Sequence, residues 1–361
     1  MSNKRFLWII MQVLFFSGWL GLAGAAASGP LEQMIEGAKK EGAVSVVLSR
    51  LAPKSIKRLE REIRATFGVD LKIEFTPSNN MPKTLVQIMM EIKAGAPPSF
   101  DLINLSTHAA EGFKAGALER VDWKALITKD TNPEAVLTHP AFHGALAYYT
   151  SHHGLLYNPQ KVSPDKVPKT FRELADPRWK GRVGIPDAVA GWARRAFILG
   201  KEKVYSDISA MLKNGAIKGT NSVLQNRYQL EEIWMAFTVS SYWKYTLDKG
   251  MPGAWQCLDY AEIPLFVVTI PTGARHPNAA RLVAVYLAGP AGVKFTFEEA
   301  GSGNLFYPGN FEHDIRLQNQ KQGIREYLPI NDAKMIEFLE SKDYGKWRKE
   351  IKLIMDKGGA G

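Results

Sequence analysis

Three polar residue pairs follow predicted strands in the first third of the chain, where side chains can contact a bound molecule. The pairs are Ser49-Arg50, Ser78-Asn79 and Ser106-Thr107. Ligands of open α/β sheets bind beyond the carboxyl ends of the strands. Serine, threonine and asparagine also cap helices at such positions, which is the simpler interpretation of any single pair. Because all three pairs share one sheet edge, a binding cleft is the competing interpretation.

Arg50 is the side chain of this set best suited to an anion. Its guanidinium group can form two parallel hydrogen bonds to a carboxylate. A surface salt bridge would explain an arginine at this position equally well.

A strand-to-helix junction in the middle of the chain is a second candidate anion site. Asp176-Pro177 ends one predicted helix, a basic-aromatic turn follows, and the short strand 183–185 leads into a helix predicted at 188–199. The first turn of a helix has backbone N–H groups without intrahelical partners, and such groups bind small anions.

The motifs of several enzyme classes are absent from the sequence. The chain has no G-x-x-x-x-G-K-[ST] or G-x-G-x-x-G phosphate loop, no G-x-S-x-G serine motif, and no H-E-x-x-H or paired C-x-x-C zinc motif. The pair His152-His153 invites a metal interpretation, but adjacent residues of a strand point to opposite faces. We therefore predict no catalytic activity and no metal at these histidines.

The N-terminal residues predict export. The basic pair Lys4-Arg5 precedes an apolar run at 6–22, and small residues at 23–27 offer cleavage sites. This order is typical of a signal peptide, which we predict to comprise residues 1–27. A membrane anchor is the alternative, although polar residues and glycines interrupt the apolar run.

Charge and cysteine content restrict the function further. The 361 residues carry a formal net charge of +10, with 46 Lys and Arg against 36 Asp and Glu. A positive field favours anionic ligands, while export argues against nucleic acid as a partner. The one cysteine, Cys257, excludes an intramolecular disulfide and lies in the segment Trp255-Gln256-Cys257-Leu258, where we predict that it packs in the core.

The order of the predicted elements indicates how the candidate residues are positioned. Strands and helices alternate three times between residues 31 and 114, which predicts a mostly parallel sheet with helices on both faces. Strands at 144–149 and 154–158 are predicted to lead into a second lobe, and the strand 264–270 to return from it. We therefore predict an α/β fold of two lobes, joined by a two-stranded hinge, with a ligand cleft between them.

Domain boundaries and second-lobe elements follow from the same patterns. We assign residues 1–27 to the signal peptide, 28–150 and 270–330 to lobe I, 151–269 to lobe II, and 331–361 to a C-terminal helical segment packing on the lobes. Helices are predicted at 167–174 and 225–234, and the strand 235–239 is predicted to end at Ser240-Ser241-Tyr242-Trp243.

Three segments resemble the extracellular solute-binding proteins of bacterial ABC importers. The first is Asp-Pro-Arg-Trp-Lys-Gly-Arg-Val at 176–183, the second is His-Pro-Asn-Ala-Ala-Arg-Leu at 276–282, and the third is Leu-Tyr-Asn at 156–158. The ferric-iron-binding proteins are the most similar subgroup. The resemblance implies a type II periplasmic-binding-protein fold, a periplasmic location, a permease partner in the inner membrane and no catalysis.

The same resemblance suggests one tyrosine ligand where ferric members have two. Those members bind iron with two adjacent tyrosines followed by tryptophan, and the matching residues here are Ser241-Tyr242-Trp243. Phenolates are hard oxygen donors suited to a trivalent ion. With the first tyrosine replaced by Ser241, the favoured interpretation of Tyr242 is an aromatic wall of the cleft, and metal ligation is the alternative.

Other site residues also come from the resemblance. The family's synergistic anion binds to the loop that corresponds to residues 187–190, and Asn221 matches a polar position that contacts this anion, with Ser222 next to it. If one or two of the tryptophans Trp192, Trp234, Trp243 and Trp255 face the cleft, they favour an organic ligand. The predicted solute contacts are Arg50, Ser106, Thr107, Ala188, Val189, Ala190, Asn221, Ser222, Ser240 and Tyr242.

The predicted function is capture of a small organic anion by a periplasmic monomer, which closes around the solute and delivers it to the permease. No cofactor is predicted. Ferric ion with an anion is the alternative cargo, a ligand-sensing subunit for a membrane receptor is the alternative role, and a periplasmic enzyme is the third hypothesis.

Overall fold

The computed structural model describes residues 29–78 and 80–358, so the predicted signal peptide and Asn79 lie outside the described residues. Within these ranges no helix has the length and apolar character needed to cross a membrane. The helices are α1 (Pro30–Glu41), α2 (Ile56–Phe67), α3 (Met81–Lys93), α4 (Ala109–Lys114), α5 (Val189–Leu199), α6 (Lys201–Lys213), α7 (Asn221–Gln229), α8 (Ser240–Asp248), α9 (Pro277–Ala288), α10 (Pro290–Ala300), α11 (Phe311–Gln322), α12 (Ala333–Glu340) and α13 (Lys342–Lys357).

The strands form two separate sheets. They are β1 (Ala43–Leu48), β2 (Lys72–Pro77), β3 (Leu102–Leu105), β4 (Leu146–Thr150), β5 (His153–Tyr157), β6 (Val183–Pro186), β7 (Ile217–Gly219), β8 (Met235–Val239), β9 (Ala254–Gln256), β10 (Ala261–Glu262), β11 (Leu265–Thr269) and β12 (Glu326–Tyr327). The first sheet has the order β2-β1-β3-β11-β4, and the second has the order β12-β10-β5-β8-β6-β7, with β9 paired to β5.

The first sheet is parallel at one side and antiparallel at the other. Strands β2, β1 and β3 run parallel, whereas β11 is antiparallel to both β3 and β4. Successive side chains of β1 face opposite layers of helices, as the period of a strand requires. Val46 packs with α1, α2 and α9, and Val47 packs with α3 and α4. This sheet is the core of lobe I.

The second sheet is the core of lobe II and also has helices on both faces. Strands β7, β6 and β8 run parallel, and β5 is antiparallel to β8. Leu155 of β5 packs with α5 and α6 on one face, while Leu156 packs with α7 on the other. The predicted α/β fold of two lobes is therefore confirmed, with mixed sheets in place of mostly parallel ones.

The chain passes directly between the sheets twice. Ser151 and His152 connect β4 of the first sheet to β5 of the second, and Ile263 and Pro264 connect β10 back to β11. The first connection lies within the predicted crossing 144–158. The second lies at the start of the strand 264–270 predicted as the return crossing, so β11, which falls in the predicted lobe II range, belongs to the sheet of lobe I. A later segment also returns to lobe II: Phe311 and Ile315 of α11 enter its core, and β12 pairs with β10. The predicted lobe I range therefore contains a part, 311–327, that packs with lobe II.

The C-terminal helices lie against both lobes. Ile336 of α12 packs in the core of lobe I, whereas Ile351 and Met355 of α13 pack against α5 and α6 of lobe II. A break at Ser341, whose hydroxyl accepts a hydrogen bond from Tyr344 N, separates the two helices.

Three local predictions differ from the structure. The predicted helix at 167–174 is reduced to a single 3₁₀ turn, Glu173–Ala175, although Thr170 Oγ1 accepts from Glu173 N at 3.2 Å as the capping pattern suggested. Helix α7 begins at Asn221, earlier than predicted, because Thr220 caps it. Residues 240–243, where the strand was predicted to end, form the first turn of α8.

Candidate functional site: a cleft between the two lobes

Arg50 lies at the carboxyl end of β1 in a backbone conformation that is unusual for its type. Its φ is +74°, in the left-handed region. For a residue with a side chain this region costs roughly 1–2 kcal/mol. Strain of this kind concentrates at functional sites, where the surrounding structure maintains it. The exposed guanidinium group projects from this strained position beside the Tyr149 ring, with Cζ 5.9 Å from its centroid.

A buried hydrogen-bond network holds the base of Arg50. Asn104 of β3 accepts from Ser49 N at 2.8 Å and donates to Ser49 Oγ at 3.0 Å, and Ser49 Oγ is also 3.0 Å from the Tyr149 hydroxyl. The Tyr149 ring stacks on Phe266 of β11, with 4.2 Å between centroids. Four strands are thereby connected directly beneath the cleft.

Arg50 faces residues of lobe II across a cavity of about 560 Å³. Ser222 on α7 and Tyr242 on α8 line the opposite wall, and their hydroxyl oxygens are 3.0 Å apart. We call this space the Arg50 cavity. It brings three of the predicted contact residues together, one from lobe I and two from lobe II.

The other charged side chains of the Arg50 cavity are already paired. Lys244 bonds Asp248 on α8, while Glu298 and Glu299 of α10 bond Arg58 of α2. Among the described residues Arg50 forms no ion pair, so it is the cation of this cavity that remains available to an anion.

A second group of predicted contacts lines another cavity, whose wall includes Phe266, the ring that stacks on Tyr149. Ser106 and Thr107 follow β3 and line a cavity of about 180 Å³ together with His153 and Arg194 of lobe II and Phe266. We call this space the Arg194 cavity. A wider cavity of about 450 Å³ adjoins it, lined by Thr107, Arg194 and Ala190 among others.

A buried carboxylate positions Arg194. Glu262 Oε1 accepts from Arg194 Nε at 2.9 Å, and Glu262 Oε2 lies 2.8 Å from Arg195 Nη2. Although burial by itself raises the pKa of Glu262, the guanidinium groups of Arg195 and Arg194 outweigh it and hold that pKa well below its ordinary value. Burial lowers the pKa of His153, which is 3.2 Å from Glu262 Oε2, so this histidine is neutral at neutral pH.

The predicted contact Ser240 lies in the interior instead of the cleft. Its side chain is fully buried and its hydroxyl donates to Glu312 Oε1, while it accepts from His152 N at 3.1 Å. Glu312 Oε2 lies 2.6 Å from His152 Nδ1. Burial opposes protonation of His152, but the Glu312 carboxylate outweighs it and raises that pKa. Ser240 therefore belongs to a structural network at the hinge, and we leave it out of the contact set.

The remaining lobe II predictions are only partly placed in the cleft. Ala190 lines the wider cavity, but Ala188 and Val189 line none of the cavities described here. Helix α5 has no side-chain cap, so Asp187 does not cap it. Asn221 accepts from Thr238 Oγ1 at 3.2 Å, an interaction within lobe II.

The tryptophans do not line these cavities either. Trp192 and Trp255 are buried, the Trp243 indole donates to Gly253 O at 3.2 Å, and Arg182 covers Trp234 with its Cζ 4.9 Å from the ring. Trp192 and Trp255 therefore belong to the core of lobe II. Cys257 is buried as predicted, and burial raises the pKa of its thiol to about 12.

The histidine pair forms two separate networks. His152 bonds Glu312 and His153 bonds Glu262. In the described part of the chain no three His, Cys, Asp or Glu residues are grouped so that they could hold a metal ion.

Arg194 and Glu262 are not among the predicted contacts. A basic pair in the middle of the otherwise apolar helix α5 is the sequence signal that could have identified Arg194, because arginine is almost never buried unless paired. No comparable signal exists for Glu262, which is 68 residues further along the chain.

The chain belongs to the family described as bacterial extracellular solute-binding protein, whose model matches residues 57–304. The predicted resemblance to this class is thus confirmed. A search of curated protein sequences gives no match.

Solved structures with the same fold include binding proteins of several bacteria. The substrate-binding protein of an ABC transporter from Agrobacterium tumefaciens has a TM-score of 0.68 at 15% identity, covering 89% of this chain and 96% of that one. FutA (IdiA) from Trichodesmium, in complex with iron and citrate, has a TM-score of 0.61 at 16% identity, covering 89% of this chain and 100% of that one. Iron-bound HitA from Pseudomonas aeruginosa has a TM-score of 0.58 at 17% identity, covering 74% of this chain and 88% of that one. At these identities the likeness establishes the type II periplasmic-binding-protein fold.

Proposed function

We propose that the protein is the periplasmic solute-binding component of an ABC importer and that its cargo is a small organic anion. It acts as a monomer without a cofactor, catalyses no reaction, and binds no nucleic acid. Its partner is a permease of the inner membrane. Family membership supports solute binding, and the ABC transporter protein from Agrobacterium tumefaciens shares its fold.

The Arg50 cavity is the single observation that carries this proposal. An unpaired guanidinium group on lobe I faces two hydroxyl groups on lobe II. A carboxylate that bonds Arg50 and the hydroxyls of Ser222 and Tyr242 would connect the lobes, because these donors suit an acceptor with two oxygens. Such a ligand binds the closed form better than the open form and therefore shifts the equilibrium toward closure.

Lobe closure requires a flexible connection that bends without unfolding either core. The direct connections at Ser151-His152 and Ile263-Pro264 are two residues each, and each lies between strands of different sheets. Hinges of this kind concentrate the backbone change in a few residues at element ends.

Purification of the exported protein under native conditions, followed by denaturation, tests the cargo. We expect mass spectrometry of the released material to give an acidic organic molecule at close to one equivalent. Iron at one equivalent, with a visible phenolate charge-transfer band, would contradict the organic cargo and support ferric ion as the substrate. Conversion of the released molecule by the purified protein would support an enzyme instead.

Tyr242→Phe tests the position of the site. Removal of this hydroxyl should weaken binding of the identified solute by about 2- to 10-fold, the loss expected for one hydrogen bond. Tyr205→Phe is the matched control, since it removes a tyrosine hydroxyl that bonds Glu350 at 2.9 Å on the outer side of lobe II. Equal affinity of Tyr242→Phe and the parent protein would place the solute elsewhere.

Loss of solute uptake in a strain lacking the gene would separate a transport role from a sensing role. Normal uptake combined with loss of a transcriptional response to the solute would favour the sensing subunit.

A further inference from the structure

The Arg194 cavity is enclosed by both lobes. Ser106, Thr107 and Phe266 come from lobe I, whereas His153 and Arg194 come from lobe II. The apolar remainder of the wall is Pro264, Leu265, Pro329 and Ile330, and no acidic residue lines this space. At about 180 Å³ it has room for one small group of a larger ligand.

Arg194 presents hydrogen-bond donors to this cavity that are not engaged elsewhere. Its Nε donates to Glu262, which fixes the guanidinium plane, but no hydrogen bond of the described residues involves its two terminal nitrogens. The side chain is 19% exposed. The Ser106 and Thr107 side-chain hydroxyls also have no hydrogen-bond partner in the described part of the chain.

The charges behind the cavity do not balance. Two guanidinium groups, those of Arg194 and Arg195, share the single carboxylate of Glu262, and Arg195 is only 3% exposed. His153 adds no negative charge, because an imidazole ring is neutral or cationic; its Nδ1 lies 2.7 Å from Arg195 Nη2 and 3.2 Å from Glu262 Oε2. One positive charge therefore has no ion-pair partner among the described residues; Arg194 also lines the wider cavity, where Glu111 and Glu340 are the acidic residues and Glu340 already bonds Lys114. A partly buried cation in this position favours an anionic group.

Aromatic rings contact the guanidinium group of Arg195, the more buried of the two arginines, whereas Arg194 faces the cavity. Arg195 Cζ lies 4.5 Å from the centre of the Phe237 ring and 5.2 Å from that of Trp192. Cation–π contacts of this kind suit a guanidinium group. Arg194 has the Glu262 contact on one edge and the cavity on the other.

We propose that Arg194 is a specificity-determining residue of the cleft and forms a second subsite, which binds a carboxylate group of the solute with the hydroxyls of Ser106 and Thr107. This inference rests on the proposed function and goes further, because it requires a cargo with at least two acidic groups. One group binds in the Arg50 cavity and another in the Arg194 cavity, with the stacked Tyr149–Phe266 pair between them.

Binding of carboxylic acids to the protein, after removal of any bound solute by unfolding and refolding, tests this subsite. Succinate, glutarate and citrate are titrated by calorimetry, and the acid that binds best is compared with the analogue in which one carboxylate is an amide. We expect the parent protein to prefer the acid over its amide by roughly 10- to 100-fold, the range for loss of charge-assisted hydrogen bonds. Binding of none of the three acids at up to about 10 mM would overturn the proposal.

Substitutions then assign the preference to one arginine. Arg194→Gln should reduce the ratio of acid to amide affinity to near one, and Arg194→Lys should retain part of it, because lysine keeps the charge but loses the planar fork. Arg348→Gln is the control, since Arg348 lines the wider cavity but not the Arg194 cavity, and its ratio should match the parent. Circular dichroism confirms that each variant is folded.

Two results separate failure of this inference from failure of the proposed function. If the acids bind tightly and Arg194→Gln keeps the parent ratio, the second subsite is wrong while solute binding stands. If the parent protein binds no solute and its loss leaves uptake normal, the proposed function fails as well.

Discussion

The two arginine cavities of the cleft differ in how their charges are compensated. Around Arg50 the carboxylates are partly exposed: Asp248 pairs with Lys244, while Glu298 and Glu299 share Arg58, so the cavity is open and electrically mixed. Around Arg194 one buried carboxylate serves two guanidinium groups. We therefore expect an anion to bind where a basic side chain of the cavity lacks a carboxylate partner, rather than where most basic residues lie.

The difference also concerns what each arginine contributes to the fold. Arg50 is exposed and strained, and its removal leaves no buried charge behind. Arg194 is part of an ion cluster between α5 and the hinge strands β5 and β10, so its partner Glu262 is required for stability. Residues of the Arg50 cavity can therefore change with little effect on the fold, whereas the Arg194 cavity depends on an ion cluster beside the hinge strands.

The largest expected effect is that of Glu262→Gln. It leaves two nearly buried guanidinium groups without a counter-charge, and breaking a buried ion pair in this way costs about 3–5 kcal/mol. Denaturant unfolding measures the loss of unfolding free energy.

Glu298→Gln is the matched change in the Arg50 cavity. Glu298 is 39% exposed, and Arg58 keeps its contacts with Glu62 and Glu299, so the expected loss is below about 1 kcal/mol. Similar losses in the two variants would contradict the contrast between the cavities.

A smaller effect is expected at Arg50 itself. Arg50→Gly relieves the positive φ, whereas Arg50→Ala retains it, so the glycine variant should be more stable than the alanine variant by about 1 kcal/mol. Both variants lose the guanidinium group and should bind the solute more weakly than the parent. Equal unfolding free energies of the two variants would show that the backbone at residue 50 is not strained.

The smallest net effect on stability is expected from the two hinge histidines, because their shifts oppose each other. Burial opposes protonation of His152, but Glu312 outweighs it and raises the pKa of this histidine in the folded protein. The stability that protonated His152 contributes is therefore complete below its unfolded pKa of about 6.5, and it is lost as the pH rises through the raised folded pKa. Burial lowers the pKa of His153 in the folded protein. The stability that neutral His153 contributes is therefore present above its unfolded pKa of about 6.5, and it is lost as the pH falls through the lowered folded pKa.

Nuclear magnetic resonance titration resolves the two rings where unfolding experiments see only their sum. We expect His152 to titrate above the ordinary range and His153 below it. Glu312→Gln should remove the upward shift of His152 and leave His153 unchanged. A common titration midpoint for both histidines in the parent protein would refute the two separate networks.

Local sequence signals located much of the fold. Strand β8 lies at the residues predicted for it, and Gly42 ends α1 in the left-handed conformation, with φ +65°. Helix α8 could not be predicted, because its first residues, Ser240 to Trp243, show no apolar period. It exists because Thr246 packs inside and bonds Tyr242 O and Gln225.

The site was less accessible to prediction than the fold. Arg50 was predicted as a contact because it follows a strand, and strand ends meet at one sheet edge, whereas Ser222 and Tyr242 were predicted from the family resemblance. Ser240 follows a strand too, yet it is buried, because α11 brings the Glu312 carboxylate to it from 72 residues away. Position after a strand is therefore a local property, whereas exposure depends on which distant element covers that strand.

The sequence by itself determined the two-lobed α/β class, the first crossing between the lobes within residues 144–158, and the extracellular solute-binding family, whereas the strand 264–270 predicted as the return crossing belongs to the sheet of lobe I. These follow from apolar periodicity, from the alternation of strands and helices, and from a conspicuous motif at 176–183. Tertiary structure alone decided the charge environment of the cleft. Glu262 meets Arg194 and Arg195 across 68 and 67 residues of chain, and only their burial together turns a basic pair in a helix into an anion subsite, since ion pairing is strong where water is excluded.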